Sequence, residues 1–174
     1  MALSKIDVAN MLTGVTPVAN GGSGRTAVTG NILQVVEATN NTGSTSTSTS
    51  YADTGLTANI TPSSASNKIL VQVNVTLACN YGQELANQSD LGGLKLVRDS
   101  TDILDPVSDK RIGIYVGSSN PISTYVIPLS KLDSPSSTSA VTYKVQYASR
   151  SSGKSIRFNG YSGTSTIQLM EISA

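Results

Sequence analysis

From Lys68 to Asn80 the apolar residues Ile69, Val71, Val73, Val75, Leu77 and Cys79 fall at every second position, with Gln72, Asn74 and Thr76 between them. A pleated strand keeps two such sets on opposite faces, whereas helical pitch would scatter both around the axis. At about 3.3 Å per residue the stretch is roughly 40 Å long, about twice an ordinary strand, so it must bend or change partners along its course. An apolar face of that length needs a cover, and a second sheet laid over it is the simplest one. Further alternating segments are therefore expected elsewhere in the chain.

They occur on both sides of it. Ile32, Gln34, Val36 and Ala38 alternate with Leu33, Val35 and Glu37, which makes both faces apolar as far as Glu37 and predicts a central strand. Low complexity from Asn40 to Ser50 suggests a loop, although Ser and Thr are tolerated in strands, and Tyr51 to Leu56 returns to a strand-and-turn pattern that allows an edge strand. Beyond the long stretch, Gly92 to Arg98 reads as a short strand and Asp99 to Pro106 as a tight hairpin, because Asp and Ser bond their own backbone in turns. Ile112, Ile114 and Val116 alternate, and Ser123 to Leu129 is a strand that Pro128 assigns to an edge or an end. Leu132 to Pro135 and the Ser/Thr run after it read as a loop. Val141, Tyr143, Val145 and Tyr147 alternate with Thr142, Lys144 and Gln146, Gly160 to Gly163 turns the chain, and Thr166 to Ile172 closes it. Short strands with turn signals every 8 to 12 residues or so predict an all-β fold, a jelly-roll-like antiparallel β-sandwich over residues 31–174. A chain of 174 residues can bury roughly two thirds of its unfolded surface in one such core.

Residues 1–30 differ from the rest. Leu3 to Leu12 fits one short helix with Ser4 as N-cap and Asp7 in its first turn. The apolar residues Leu3, Ile6, Met11, Leu12, Val15 and Val18 are too few for a core, and predict an arm that becomes ordered against another subunit. A disordered tail accounts for the same composition equally well. Pro17, Gly21, Gly22 and Gly24 make the hinge of this extended N-terminal arm. Gly24-Arg25-Thr26 fails as the end of a phosphate loop, since Ala19 stands where the first glycine is required and Arg25 where lysine is.

Composition removes much chemistry. The chain has no histidine and one cysteine, Cys79, so a Ser-His-Asp or Cys-His centre, a histidine metal cluster and an intramolecular disulfide are all excluded. Cys79 is expected to be a buried, inert thiol. Asp99, Asp102, Asp105 and Asp109 are the densest carboxylates, but their spacing fits no calcium loop, and without tryptophan a glycoside-cleaving pair lacks its usual aromatic platform. They are expected to be solvated turn residues, and no enzyme activity, metal or cofactor is expected. A formal net charge of +1 predicts no nucleic-acid partner. The apolar residues near the start are interrupted by Lys5, Asp7 and Asn10, so neither a secretion signal nor membrane insertion is expected. The seven tyrosines are expected mostly in or beside the core, with sugar stacking or a protein interface as the alternative use. The glycan-acceptor patterns at Asn40, Asn59, Asn74 and Asn87 read as coincidences of a Ser/Thr-rich chain.

Leu12-Thr13-Gly14-Val15-Thr16-Pro17-Val18-Ala19-Asn20-Gly21-Gly22-Ser23-Gly24 resembles the "PVANGGTG" linker near the N-termini of bacteriophage fibre-type proteins, with Ser23 in place of the usual threonine. Segments such as Ile32 to Val36, Tyr51 to Leu56, Ile60 to Ser64, Leu132 to Pro135 and Leu169 to Ile172 resemble a small β-domain of tailed-phage virion proteins. The resemblance implies a structural virion protein on the particle exterior, a homotrimer whose arm attaches it to capsid or tail proteins. The short chain favours a capsid decoration or head fibre over a short tail fibre or receptor-binding tip. A carbohydrate-binding module, with a host-surface glycan as partner, is the reading from another class.

Overall fold

A computed structural model describes residues 30–79, 90–108, 110, 112–113, 123–152 and 155–174. Eleven strand segments occur among them. In chain order these are β1 (Ile32–Asn40), β2 (Ser44–Ser46), β3 (Ala52–Ile60), β4 (Lys68–Cys79), β5 (Asp90–Arg98), β6 (Thr101–Leu104), β7 (Ile112–Gly113), β8 (Ser123–Asp133), β9 (Val141–Ser149), β10 (Ile156–Phe158) and β11 (Ser165–Ile172).

Their register describes one antiparallel hairpin rolled up on itself. At its tip β5 pairs with β6 across the turn at Asp99 and Ser100, with Val97 opposite Asp102. Working outward, Leu70 of β4 faces Leu132 of β8, Ala58 of β3 faces Tyr143 of β9, and Val35 of β1 faces Met170 of β11. Every pair is nearly symmetric about the tip. Rolling the hairpin then brings β11 and β10 against β4, and β9 against β5. The first sheet therefore runs β1 and β2, then β11 and β10, then β4, then β8; the second runs β3, β9, β5, then β6 and β7. Counting β1 with β2, β6 with β7 and β10 with β11, the orders are one-eight-three-six and two-seven-four-five. That is a jelly roll, as the alternation predicted.

Strand β4 fulfils the expectation drawn from its length. One edge is paired along its whole course by β8, and the other is shared by β11 over Lys68–Asn74 and β10 at Leu77–Ala78. Its residues Ile69, Val71, Val73, Val75 and Leu77 face Leu56, Leu94, Leu96, Tyr143 and Val145 of the second sheet in one continuous core. Each such side chain contributes about 1.5–3 kcal/mol through removal from water.

Three expectations are corrected. β1 is not a central strand: it lies at the sheet edge and pairs only with β11, so Val36 and Ala38 pack inward while Leu33 and Val35 stand on the outer surface. β8 does not end near Leu129. It continues through Leu132 to Asp133, because β4 offers a partner as far as Ile69 and Asp133 is tied to residues of β5 and β9. The Ser/Thr tract is not all loop, since Ser44–Ser46 pairs with β10. Pro128 does lie in an edge strand, and Tyr51 to Leu56 leads into one. Of the alternation at 112–116, Ile114 and Val116 lie outside the described residues, as do residues 1–29, Asp109 and the side chain of Cys79.

Adjacent residues of β11 test the face assignment. Leu169 is fully buried, and Leu169→Ala is expected to cost about 2–5 kcal/mol in urea unfolding. Met170, on the outer face, should lose clearly less when changed to alanine.

Candidate functional site

The rolled hairpin gives the molecule two unlike ends. At one lie Gly30, the 61–67 loop, the Asp99–Ser100 turn, the 134–140 loop and Ala174. Toward the other lie the 41–43 and 47–51 segments on either side of β2 and the 159–164 turn, which leaves the sheet between the partners of Leu77 and Asn74 on β4. At the first end the chain beginning at Gly30 is bonded to the chain leaving at Ser173: Gly30 N donates to Ser173 O at 2.8 Å, and Ser173 N to Asn31 O at 2.9 Å.

Two polar clusters lock this end. Glu171 points inward from β11 and is fully buried, and among the described residues no cation pairs with it. Its Oε1 accepts from Asn67 Nδ2 at 2.6 Å and from Ser63 N and Oγ at 2.7 Å each, and its Oε2 from Gln34 Nε2 at 2.6 Å. Burial alone would raise its pKa, but the donors of Asn67, Gln34 and Ser63 outweigh burial and bring it from 4.5 down to about 2. Asn67 Oδ1 accepts from Ala174 N at 3.1 Å, so the carboxylate, the 61–67 loop and the C-terminal segment form one unit. In the second cluster, Asp133 Oδ2 accepts from Arg98 at 2.6 Å and from the Tyr143 hydroxyl at 2.7 Å. Burial first, and then this bond, push the Tyr143 phenol far above its ordinary pKa. The cluster ties β8 of one sheet to β5 and β9 of the other.

The outer face of the first sheet at this end is apolar. Val35, Met170, Leu70 and Leu132 are consecutive register partners across β1, β11, β4 and β8, a row running from one sheet edge to the other. Val35 is 58% exposed and Leu132 49%. Leu33 and Ile32 extend the patch on β1. The next row is polar: Glu37, Gln168, Gln72 and Ser130.

At the other end of that sheet a depression of about 450 Å³ is lined by Asn41, Gly43, Ser44, Thr45, Arg157, Asn159, Gly160, Tyr161 and Ser162. Its floor is rigid. Asn159 N donates to Thr76 O at 2.9 Å, its side chain donates to Asn40 O at 2.7 Å and accepts from Ser165 Oγ at 2.6 Å, and Ser165 Oγ accepts from Thr76 N at 2.8 Å. A side chain at Gly160 would collide with Arg157 and lie 2.6 Å from Ala78 Cβ, so the turn requires glycine there. Asn159, Tyr161 and Ser162 all have positive φ, at 49°, 55° and 61°. For residues other than glycine each such conformation costs about 1–3 kcal/mol, and strain of this kind collects at binding and catalytic sites. Its result here is a tyrosine ring that is 44% exposed, with the Arg157 guanidinium over one face at 5.3 Å. Among the described residues Arg157 is the only charged one lining the depression, and no described carboxylate pairs with it.

The arm residues Leu3, Ile6, Met11, Leu12, Val15 and Val18, and the hinge residues Pro17, Gly21, Gly22 and Gly24, lie outside the described residues. Of the four aspartates expected as solvated turn residues, Asp99 and Asp102 are exposed, Asp105 is half-buried with its Oδ1 shielded from water, and Asp109 lies outside the described residues. Asp99 Oδ1 accepts from Thr142 N at 3.0 Å, while Asp102 pairs with Lys95 and Asp105 lies 3.9 Å from the same ammonium. Tyr143 and Tyr147 are core residues and Tyr125 packs beside them. Tyr51 lies between the Lys95 and Lys110 ammonium groups, 4.5 and 5.2 Å from its ring centre. Its pKa is pushed up to about 12 by burial, then by Asp105 and Asp102. The Glu171 cluster and the depression went unread in the sequence. For the depression a signal existed: an aromatic residue between Gly160 and Gly163 sits in a turn too short to bury it.

The Glu171 cluster predicts an acid sensitivity. Its folded-state pKa lies below its unfolded value, so its stabilisation is complete above about pH 4.5 and is lost as pH falls toward 2. Glu171→Gln should lower the denaturation midpoint at pH 7 and flatten its fall between pH 5 and 2.5, followed by circular dichroism.

No protein-family model matches the chain, and no curated protein sequence does. Among solved structures, the VP2 subviral particle of infectious bursal disease virus is similar with a TM-score of 0.32 and 13% sequence identity. The likeness covers 81% of this chain and 37% of that one, so this chain spans well under half its length.

Proposed function

We propose that this chain is a non-enzymatic structural protein of a bacteriophage virion, displayed on the particle exterior as a capsid decoration or head fibre and held there by residues 1–30. The observation that carries the reading is the polarity of the head. The chain arrives at Gly30 on the end locked by Glu171 and Asp133, and the strained 159–164 turn, with Tyr161 and Ser162 exposed, lies in the opposite half of the sheet. A tethered head needs this arrangement: attachment at one pole, recognition surface at the other. The resemblance of residues 12–24 to the phage fibre linker supports the same assignment.

The apolar row from Val35 to Leu132 gives the assembly its contact. Arms gathered at one attachment point hold several heads at high local concentration. An uncharged row rimmed by Gln72, Ser130 and Gln168 has the make-up of a protein interface, apolar at its centre and polar at its border. In this reading the row packs against a neighbouring copy and the heads form a homotrimer. A short tail fibre or receptor-binding tip would use the same head and differ only in where the arm attaches.

Locating the chain in a cryo-EM map of its particle is the direct test. Density on the shell supports decoration or a head fibre, density only at the tail moves the function to adsorption, and absence from the particle rejects the virion reading. Deleting residues 1–26 should leave a folded oligomer that no longer binds the particle, and loss of folding on deletion counts against the arm. Light scattering checks the row: the pair Val35→Glu and Leu132→Glu should yield a monomer with an unchanged melting temperature, whereas a wild-type chain that stays monomeric at all concentrations rejects the trimer.

A further inference from the structure

We infer that the depression beneath the 159–164 turn is a binding site for an acidic saccharide, a sugar carrying a carboxylate of the uronate or sialate kind. Three observations carry this. First, the site is built and rigid: Asn159 is buried and bonded to Thr76, Asn40 and Ser165, so the floor exists before any ligand arrives. Second, the strained turn presents Tyr161 to solvent although the other described aromatic rings are buried or half-buried, and the ring remains 44% exposed with Arg157 on one face. An exposed ring beside amide and hydroxyl groups offers the apolar face and the polar partners that a sugar ring presents in turn. Third, among the described residues the lining carries one guanidinium and no carboxylate, and a guanidinium binds a carboxylate through paired hydrogen bonds.

The assigned roles follow from position. Arg157 binds the ligand carboxylate, Tyr161 packs against the apolar face of the sugar, and Asn41 and Thr45, the latter the β2 partner of Arg157, meet its hydroxyls, while the Ser44 hydroxyl is held by Tyr147. A bare phosphate or sulfate would leave the ring and the loop unused. A neutral sugar would leave Arg157 unused.

The test is an NMR titration of the intact chain, which holds whether or not the chain is found on a particle. The probes are glucuronate-containing and sialate-containing oligosaccharides, their neutral counterparts and inorganic sulfate. Saturable shifts at Asn41, Arg157 and Tyr161 are expected with an acidic saccharide, at least tenfold weaker with its neutral counterpart. Arg157→Gln should weaken binding at least tenfold. Tyr161→Gly, which keeps the left-handed backbone while removing the ring, should do the same with the melting temperature maintained. Should Arg157→Gln fail to fold, Asn41→Asp serves instead: Asn41 is exposed, and a second anion at the rim should repel the acidic ligand selectively. Equal affinity for sulfate alone, equal affinity for the neutral sugar, or no saturation with any of these probes would overturn the assignment.

Discussion

The pairing of β4 along both of its edges is the constraint on which the rest of the molecule depends. β8 occupies one edge from Ile69 to Cys79, and β11 and β10 divide the other. With both edges filled and its inner face apolar, β4 fixes the register of its neighbours. A slip by one residue would turn Ile69, Val71 and Val73 out to solvent. The nested order follows, because a strand committed to β8 on one side and β11 on the other forces the chain between them to fold back as its own hairpin. Much of that pairing is distant in sequence: the bond from Gln34 to Glu171 joins residues 137 apart. Such non-local topology folds slowly, since loop closure is unfavourable before burial can offset it.

Local alternation was enough to read β4, β9 and β11, where period two is unbroken and both neighbours are present. It was insufficient for β1. Two apolar faces are what a central strand shows, yet β1 carries them at a sheet edge, with Leu33 and Val35 on the outer surface. Leu132 and Asp133 misled for a different reason. Asp-Ser-Pro is a turn signal, yet Arg98 and the Tyr143 hydroxyl, brought in from other strands, hold Asp133 in strand β8. The Glu171 cluster was illegible because its donors come from β1 and the 61–67 loop, and a lone glutamate in a strand reads as surface. The exposed Tyr161 could have been suspected from its short glycine-flanked turn, but the shape of the depression could not, because left-handed Tyr161 depends on Gly160 fitting against Arg157 and Ala78, a contact between segments far apart in the chain.

Polar side chains divide the labour between the two ends. At the Gly30 end they are inside, satisfied and rigid, with the carboxylate of Glu171 met by neutral donors and that of Asp133 by a guanidinium and a phenol. At the far end the buried amide of Asn159 supports a surface whose remaining groups, Arg157 and Tyr161, face outward. One end uses polarity to close the structure, and the other uses it to hold an open surface in a single conformation.

The antiparallel pairing of β1 with β11 also has a mechanical meaning. Gly30 lies at the locked end and β1 runs from it toward the far end, so a pull between Gly30 and the far-end turns acts along the strand axes. The cross-strand hydrogen bonds lie perpendicular to that direction and are loaded together, in shear, so they do not open one at a time. Unzipping would need a force across the sheet, and the edge position of β1 does not supply one when the load is axial. A domain paired this way resists an axial pull on Gly30 with the strength of a whole ladder.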